Sequence, residues 1–223
     1  MLLYDDWDLA GAEREYLRAL ELNPSCVECH HQYSHLLLML GRYPESLRES
    51  RKLLDLDPVS ETPVGHLANH FLISRQFDAA IEQYREDRRR FPDAARNEEM
   101  ADALYFKGRM PEAVDEYIAV SAAKDPDGAA ALRKAFAQGG SSGFLRQRLA
   151  QFSAVAPAEQ NRMAIAAYHV LLGEHELALK ILDEAYAAHA SWLMLLHCDP
   201  SFDPLRREQR YMDLLRRVGL PQL

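Results

Sequence analysis

A proline recurs at a fixed interval. ALELNP ends at Pro24, LLDLDP at Pro58, REDRRRFP at Pro92 and AAKDP at Pro126, each 34 residues after the one before. A strict period of this length means that the chain is built from copies of one supersecondary unit. Each copy must bury its apolar face against the next, because alone it is too small to hold a core. Between the prolines stand the turn phrases LGRYPES (40–46), SRQFDAA (74–80) and KGRMPEA (107–113), each flanked by segments with apolar residues at i, i+3 and i+4. That spacing is one face of an α-helix. Each unit reads as a helix hairpin, and the chain as all-α.

A 34-residue helix–turn–helix unit closing on proline resembles the tetratricopeptide repeat (TPR). Residues 27–60 carry Gly41 at the turn, the small Ser46 early in the second helix and Pro58 at the close. Residues 61–93 carry Phe71, Ala80, Tyr84 and Pro92, and residues 94–126 carry Ala113, Tyr117 and a proline one position late. A hairpin over 158–190 fits again with Gly173, Ala178 and Ala185. Small residues at Ala12, Ser46, Ala80, Ala113 and Ala178 let paired helices approach closely. The resemblance implies a single domain over 1–223, a right-handed superhelix of stacked hairpins with a C-terminal capping helix. The first helix of each hairpin then lines the concave wall.

Two departures from the period matter. Counting back 34 positions from Gly41 gives Trp7, so residues 1–26 read as a truncated first repeat. Its apolar edge, around Trp7, Leu9 and Tyr16, is expected to be open and to mediate self-association into a homo-oligomer. Residues 127–157 read as a helical insertion split by a flexible GGSSG linker, which would divide the repeats into two groups.

The last segment, 191–223, does not repeat and reads as a cap. Trp192, the phrase D-P-x-F-D-P-L-R from Asp199 to Arg206, and Gly219-Leu220-Pro221 resemble the closing segment of TPR domains found behind effector domains in bacterial transcriptional regulators and signalling kinases or cyclases. Trp7 to Glu15 and the HHQY at 30–33 look like that group too. The resemblance implies a module of a bacterial regulatory or signalling protein.

Composition narrows the partners. A net charge of −8 argues against direct nucleic-acid binding and against anionic membrane, both of which need a basic surface. No apolar run approaches the ~18 residues of a membrane span. Three cysteines, Cys26, Cys29 and Cys198, are too few and too odd in number for a disulfide framework, which points to a reducing, cytoplasmic location.

The densest chemistry lies in CVECHHQYSH, residues 26–35, which opens on C-x-x-C-H. Haem attachment requires an exported chain and a second axial ligand, and the repeat register places His30 in the core. Cys26 and Cys29 with His31 and His35, four apart on one helical face, make an alternative reading as a metal- or redox-responsive regulator. Cys26 sits in the inter-repeat turn, however, and the four do not converge without distortion. No metal and no cofactor is therefore expected, and no nucleophile elbow or phosphate loop is present, so the chain reads as non-enzymatic.

The register leaves the concave wall as the functional surface. Its candidate peptide-binding residues are His31, His35, His66, Asn69, Glu98, Glu99, Asp102 and Tyr105. TPR domains that grip the acidic tails of heat-shock chaperones use a clamp of Lys, Arg and Asn at such positions. Here Asn69 remains, but His31, His66, Glu98 and Glu99 stand where positive or amide groups would be wanted. A protein or peptide partner of basic character fits better. His31 and His35 would also make binding depend on pH near neutrality.

Overall fold

The computed structural model describes residues 7–58, 61–91, 98–154 and 159–221. Pro92, residues 155–158 and both chain ends lie outside the described residues. All regular structure among them is helical: α1 (Leu9–Leu22), α2 (Val27–Met39), α3 (Tyr43–Leu56), α4 (Glu61–Ile73), α5 (Phe77–Arg90), α6 (Glu99–Phe106), α7 (Met110–Ala122), α8 (Pro126–Ala154), α9 (Glu159–Leu171), α10 (His175–Ala187) and α11 (Gln209–Val218). Two 3-10 segments, Ser191–Leu195 and Pro200–Arg207, precede α11. The fold is an all-α, TPR-like stack of hairpins closed by a capping helix. The small positions Ala12, Ser46, Ala80, Ala113 and Ala178 are all buried at the helix crossings.

The turn backbone shows why the hairpins repeat. Trp7, Gly41, Arg75, Gly108, Gly140 and Gly173 all have left-handed φ, from 54° to 83°, at intervals of 34, 34, 33, 32 and 33 residues. Gly140 breaks α8 with φ 56° and ψ −146°. Its two halves fold back on each other. Gln151 Nε2 donates to Gly128 O at 3.2 Å, whereas 23 residues of straight helix would separate them by about 34 Å. A Cβ at Gly143 would lie 2.4 Å from Ala135 O, so the return helix is close enough to demand glycine there. Of the expected insertion over 127–157, residues 127–154 are described and form the two halves of α8: the GGSSG phrase is a tight inter-helix turn at Gly140, and the segment keeps the array in register.

Arg75 occupies the left-handed position that glycine fills in neighbouring turns. Non-glycine residues pay about 1–3 kcal/mol for sparsely populated backbone conformations. The side chain offsets this by tying the turn to the cap: Nη2 donates to Asp203 Oδ1 at 2.6 Å and Nε to Oδ2 at 3.1 Å.

The core falls into two clusters. One is local, running from Ala68 on α4 to Leu145 on α8. The other joins the two ends of the chain: Leu9, Ala12 and Leu36 to Met39 pack in one cluster with Ala166, Leu182, Trp192, Leu205 and Leu220. Trp7 stacks on His189 at 3.9 Å and lies 5.8 Å from Tyr186. The N-terminal edge expected to be open for self-association is therefore covered by the protein's own C-terminal hairpin and cap, with Leu9 8% exposed. The stack curves far enough for its ends to meet.

Candidate functional site

That curvature encloses a cavity of about 500 Å³. Its concave wall carries His35 from α2, Asn69 from α4, Glu98 just before α6, and Glu99, Asp102 and Tyr105 from α6. His31 and His66 stand beside His35, in ring contact with it. The facing wall comes from elements the sequence does not point to: Phe144, Arg148 and Phe152 from α8, Tyr168 from α9, and Leu195, Cys198 and Asp199 from the cap.

Arg148 organises one end. It is 5% exposed, donates from Nε to Tyr168 Oη at 2.9 Å and pairs with Glu98. Its guanidinium lies 5.0–5.8 Å from the ring centres of Phe152, Tyr117 and Tyr168, within cation–π range. Glu98 already has its cation from within the chain. Glu99 and Asp102 do not. Burial pushes the Asp102 carboxyl up to about 7, against the opposing pull of a hydrogen bond from the Tyr117 hydroxyl. Burial also raises Glu99, whose Oε2 is buried and has no hydrogen-bond partner. Burial pushes the Cys198 thiol up to about 12, so it stays protonated and unreactive at neutral pH.

At the other end, four histidines form a nest. His31, His35 and His66 contact one another, and His70 lies behind with its ring centre 3.9 Å from that of His66. Burial, reinforced by neighbouring imidazoles, lowers His35 to about 4 and His66 to about 2, and lowers His70 as well. These rings are neutral at pH 7, so His35 does not titrate near neutrality as the sequence suggests.

The cysteine reading changes. Cys26 and Cys29 form a disulfide, contrary to the reducing-compartment inference, because a C-x-x-C pair at a helix start already brings the two residues within reach: their Cα atoms are 5.2 Å apart. With the sulfurs joined, no thiolate is left for the Cys26/Cys29/His31/His35 cluster. His30 is 3% exposed. Its Nδ1 faces Glu49 Oε2 at 2.5 Å and its Nε2 faces Pro24 O at 2.9 Å, so neither nitrogen is free to ligate.

No helix among the described residues is long and apolar enough to cross a membrane.

No family model matches the chain. Hsp70-Hsp90 organizing protein 1 of Glycine max is 26% identical over 93 residues, which is 42% of this chain and 16% of that protein. The match thus spans about a sixth of the relative's length. Among solved structures the chain is similar to YrrB, described as a TPR protein with an unusual peptide-binding site. The identity is 16% and the TM-score 0.43, covering 92% of this chain and 98% of that one. The TPR-like character is carried by the chain's own 34-residue period and by the positive-φ turn residues Gly41, Arg75, Gly108, Gly140 and Gly173, spaced 32 to 34 residues apart.

Proposed function

We propose that this protein is a non-catalytic interaction scaffold that takes a cationic side chain of a protein or peptide partner into the cavity between α6 and α8. The observation that carries this reading is the state of Glu99 and Asp102: two carboxylates pushed towards their neutral forms by burial, neither with a salt-bridge partner among the described residues. A partner's Lys or Arg would let both ionise, while Tyr105 and Phe106 offer an aromatic wall for its stem. The same carboxylates disfavour an acidic chaperone tail, so the name of the plant relative does not carry over. The closing D-P-x-F-D-P-L-R phrase supports placement in a bacterial regulatory or signalling protein.

The test is retention of an arrayed peptide set on the immobilised protein. Lys- and Arg-bearing peptides are expected to be retained over acidic ones, with proton release on binding below about pH 7, where the free Asp102 carboxyl still holds its proton, and Glu99→Gln/Asp102→Asn should reduce retention at least about tenfold. Equal retention of acidic peptides, or indifference to the double variant, refutes the reading.

A further inference from the structure

We infer that His31, His35 and His66 form a binding site for a divalent transition-metal ion of the zinc class, independent of the cysteines. His31 and His35 lie one turn apart on α2, and His66 arrives from α4 in the next hairpin. The ring centres make a nearly equilateral triangle of 4.8, 4.5 and 4.7 Å. The rings meet at 70°, 61° and 88°, so edges converge rather than faces stack. His35 Nε2 is 3.2 Å from His31 Nε2 and 3.1 Å from His66 Nε2. One ligand-capable nitrogen from each ring lies within 4.8 Å of the other two. Tetrahedral zinc, with Zn–N near 2.0–2.1 Å, holds neighbouring nitrogens about 3.3–3.4 Å apart.

Hydrogen bonding does not account for this convergence. A neutral imidazole nitrogen carries either one hydrogen or one lone pair, so His35 Nε2 cannot make two full hydrogen bonds to its neighbours. A cation at the centre would use one lone pair from each ring at once. The Glu28 carboxylate lies 3.7 Å from His31 Nδ1, the nitrogen not turned inward, where carboxylates commonly orient a ligating imidazole. Deeper in, Ser46 and Ser50 each donate to backbone carbonyls and leave His70 Nδ1 as the hydrogen-bearing nitrogen. His70 Nε2 is then a buried lone pair with no partner, and His66 Nδ1 is likewise unpartnered. Neither of these two nitrogens is a proposed ligand; the cation is held by the converging nitrogens of His31, His35 and His66, and imidazole lone pairs suit a borderline cation. Three protein ligands leave one coordination position for water or for a side chain of the groove's occupant.

The test uses the full chain without a histidine tag, stripped with chelator and titrated with Co(II) and then Zn(II). One equivalent of Co(II) should bind with the visible absorption of a tetrahedral nitrogen-rich site, be displaced by Zn(II), and raise the melting temperature. His35→Gln should weaken binding at least about 100-fold, and Glu28→Gln about tenfold. The double variant Cys26→Ser/Cys29→Ser should leave affinity unchanged. Circular dichroism checks each variant's fold, and the partly exposed His31→Gln serves if His35→Gln fails to fold. Absence of a one-equivalent site, affinity indifferent to both His35→Gln and His31→Gln, or affinity lost only with the cysteines overturns the inference.

Discussion

The two ends of the cavity bury polar groups in opposite ways. At the Arg148 end a charge is buried with its counter-charge: the guanidinium meets Glu98, a tyrosine hydroxyl and three aromatic faces. At the histidine end the buried groups are neutral, crowded and partly without partners. A buried charge is retained only when the protein itself supplies its partner. A buried imidazole can remain uncharged and keep its lone pair for something else. The first arrangement holds the fold together beside the Glu99 and Asp102 carboxylates proposed to take a partner's cation, and the second leaves lone pairs for a metal ion.

The sharpest way to break the comparison is Arg148→Ala. It removes the cation, the cation–π contacts and the stem that fills the cavity wall. A loss of about 2–4 kcal/mol is expected in denaturant unfolding, discounted because Glu98 is about one-third exposed and can turn to water. Arg148→Met with Glu98→Gln should recover part of that loss. If Arg148→Ala were silent, the pair would have no structural role.

Next in size is Asp102→Asn, whose effect should depend on pH. The folded carboxyl titrates at about 7, above its unfolded value of 3.8, so its contribution is fully present below about 4 and is lost as pH rises towards 7. The amide avoids that loss and still accepts from Tyr117. The variant should be more stable than the parent by about 1–3 kcal/mol at pH 8 and equal to it near pH 4.

The histidine end should respond with the opposite sign. His35 is lowered to about 4 and His66 to about 2, below an unfolded value of 6.5. The unfolded chain therefore takes up protons first, and the chelated protein should lose stability as pH falls from about 6.5 towards 4. Melting curves across this range that stay flat would mean these rings are wetter than their burial indicates.

The smallest effect is expected at Arg75, which joins a turn to the cap outside both nests. Arg75→Gly relieves the left-handed backbone but loses the Asp203 bond, a net cost of about 1 kcal/mol or less; Arg75→Ala loses the bond without the relief and should cost more. Equal effects would mean that the φ of 61° carries no strain.

The hairpins were legible in the sequence because their signals are local: turn residues, small crossing positions and closing prolines sit at fixed offsets. The concave wall was legible for the same reason, and Asn69, Glu99, Asp102 and Tyr105 follow from repeat register. Its facing wall was not, since Arg148, Tyr168 and Cys198 reach the cavity only through the accumulated curvature of the whole stack. Arg148 left one trace, a charged residue sharing the helical face of Leu145 and Phe152, both apolar. His31 and His35 could be paired from their i, i+4 spacing. Bringing His66 to them depends on how one hairpin rotates on the next, which spacing does not report. The cysteine pair was missed because a count over the whole chain was set against a three-residue separation that made bonding easy.

The meeting of the two ends has a consequence for how the protein is made. Open solenoids can add each unit to a finished neighbour as it leaves the ribosome. Here Leu9 and Leu36 to Met39 share a cluster with residues as late as Leu220, so part of the surface they offer stays wet until the cap has been synthesised. Translation that stops before the cap would release a chain with both of its seams exposed, a ready substrate for chaperones or for aggregation.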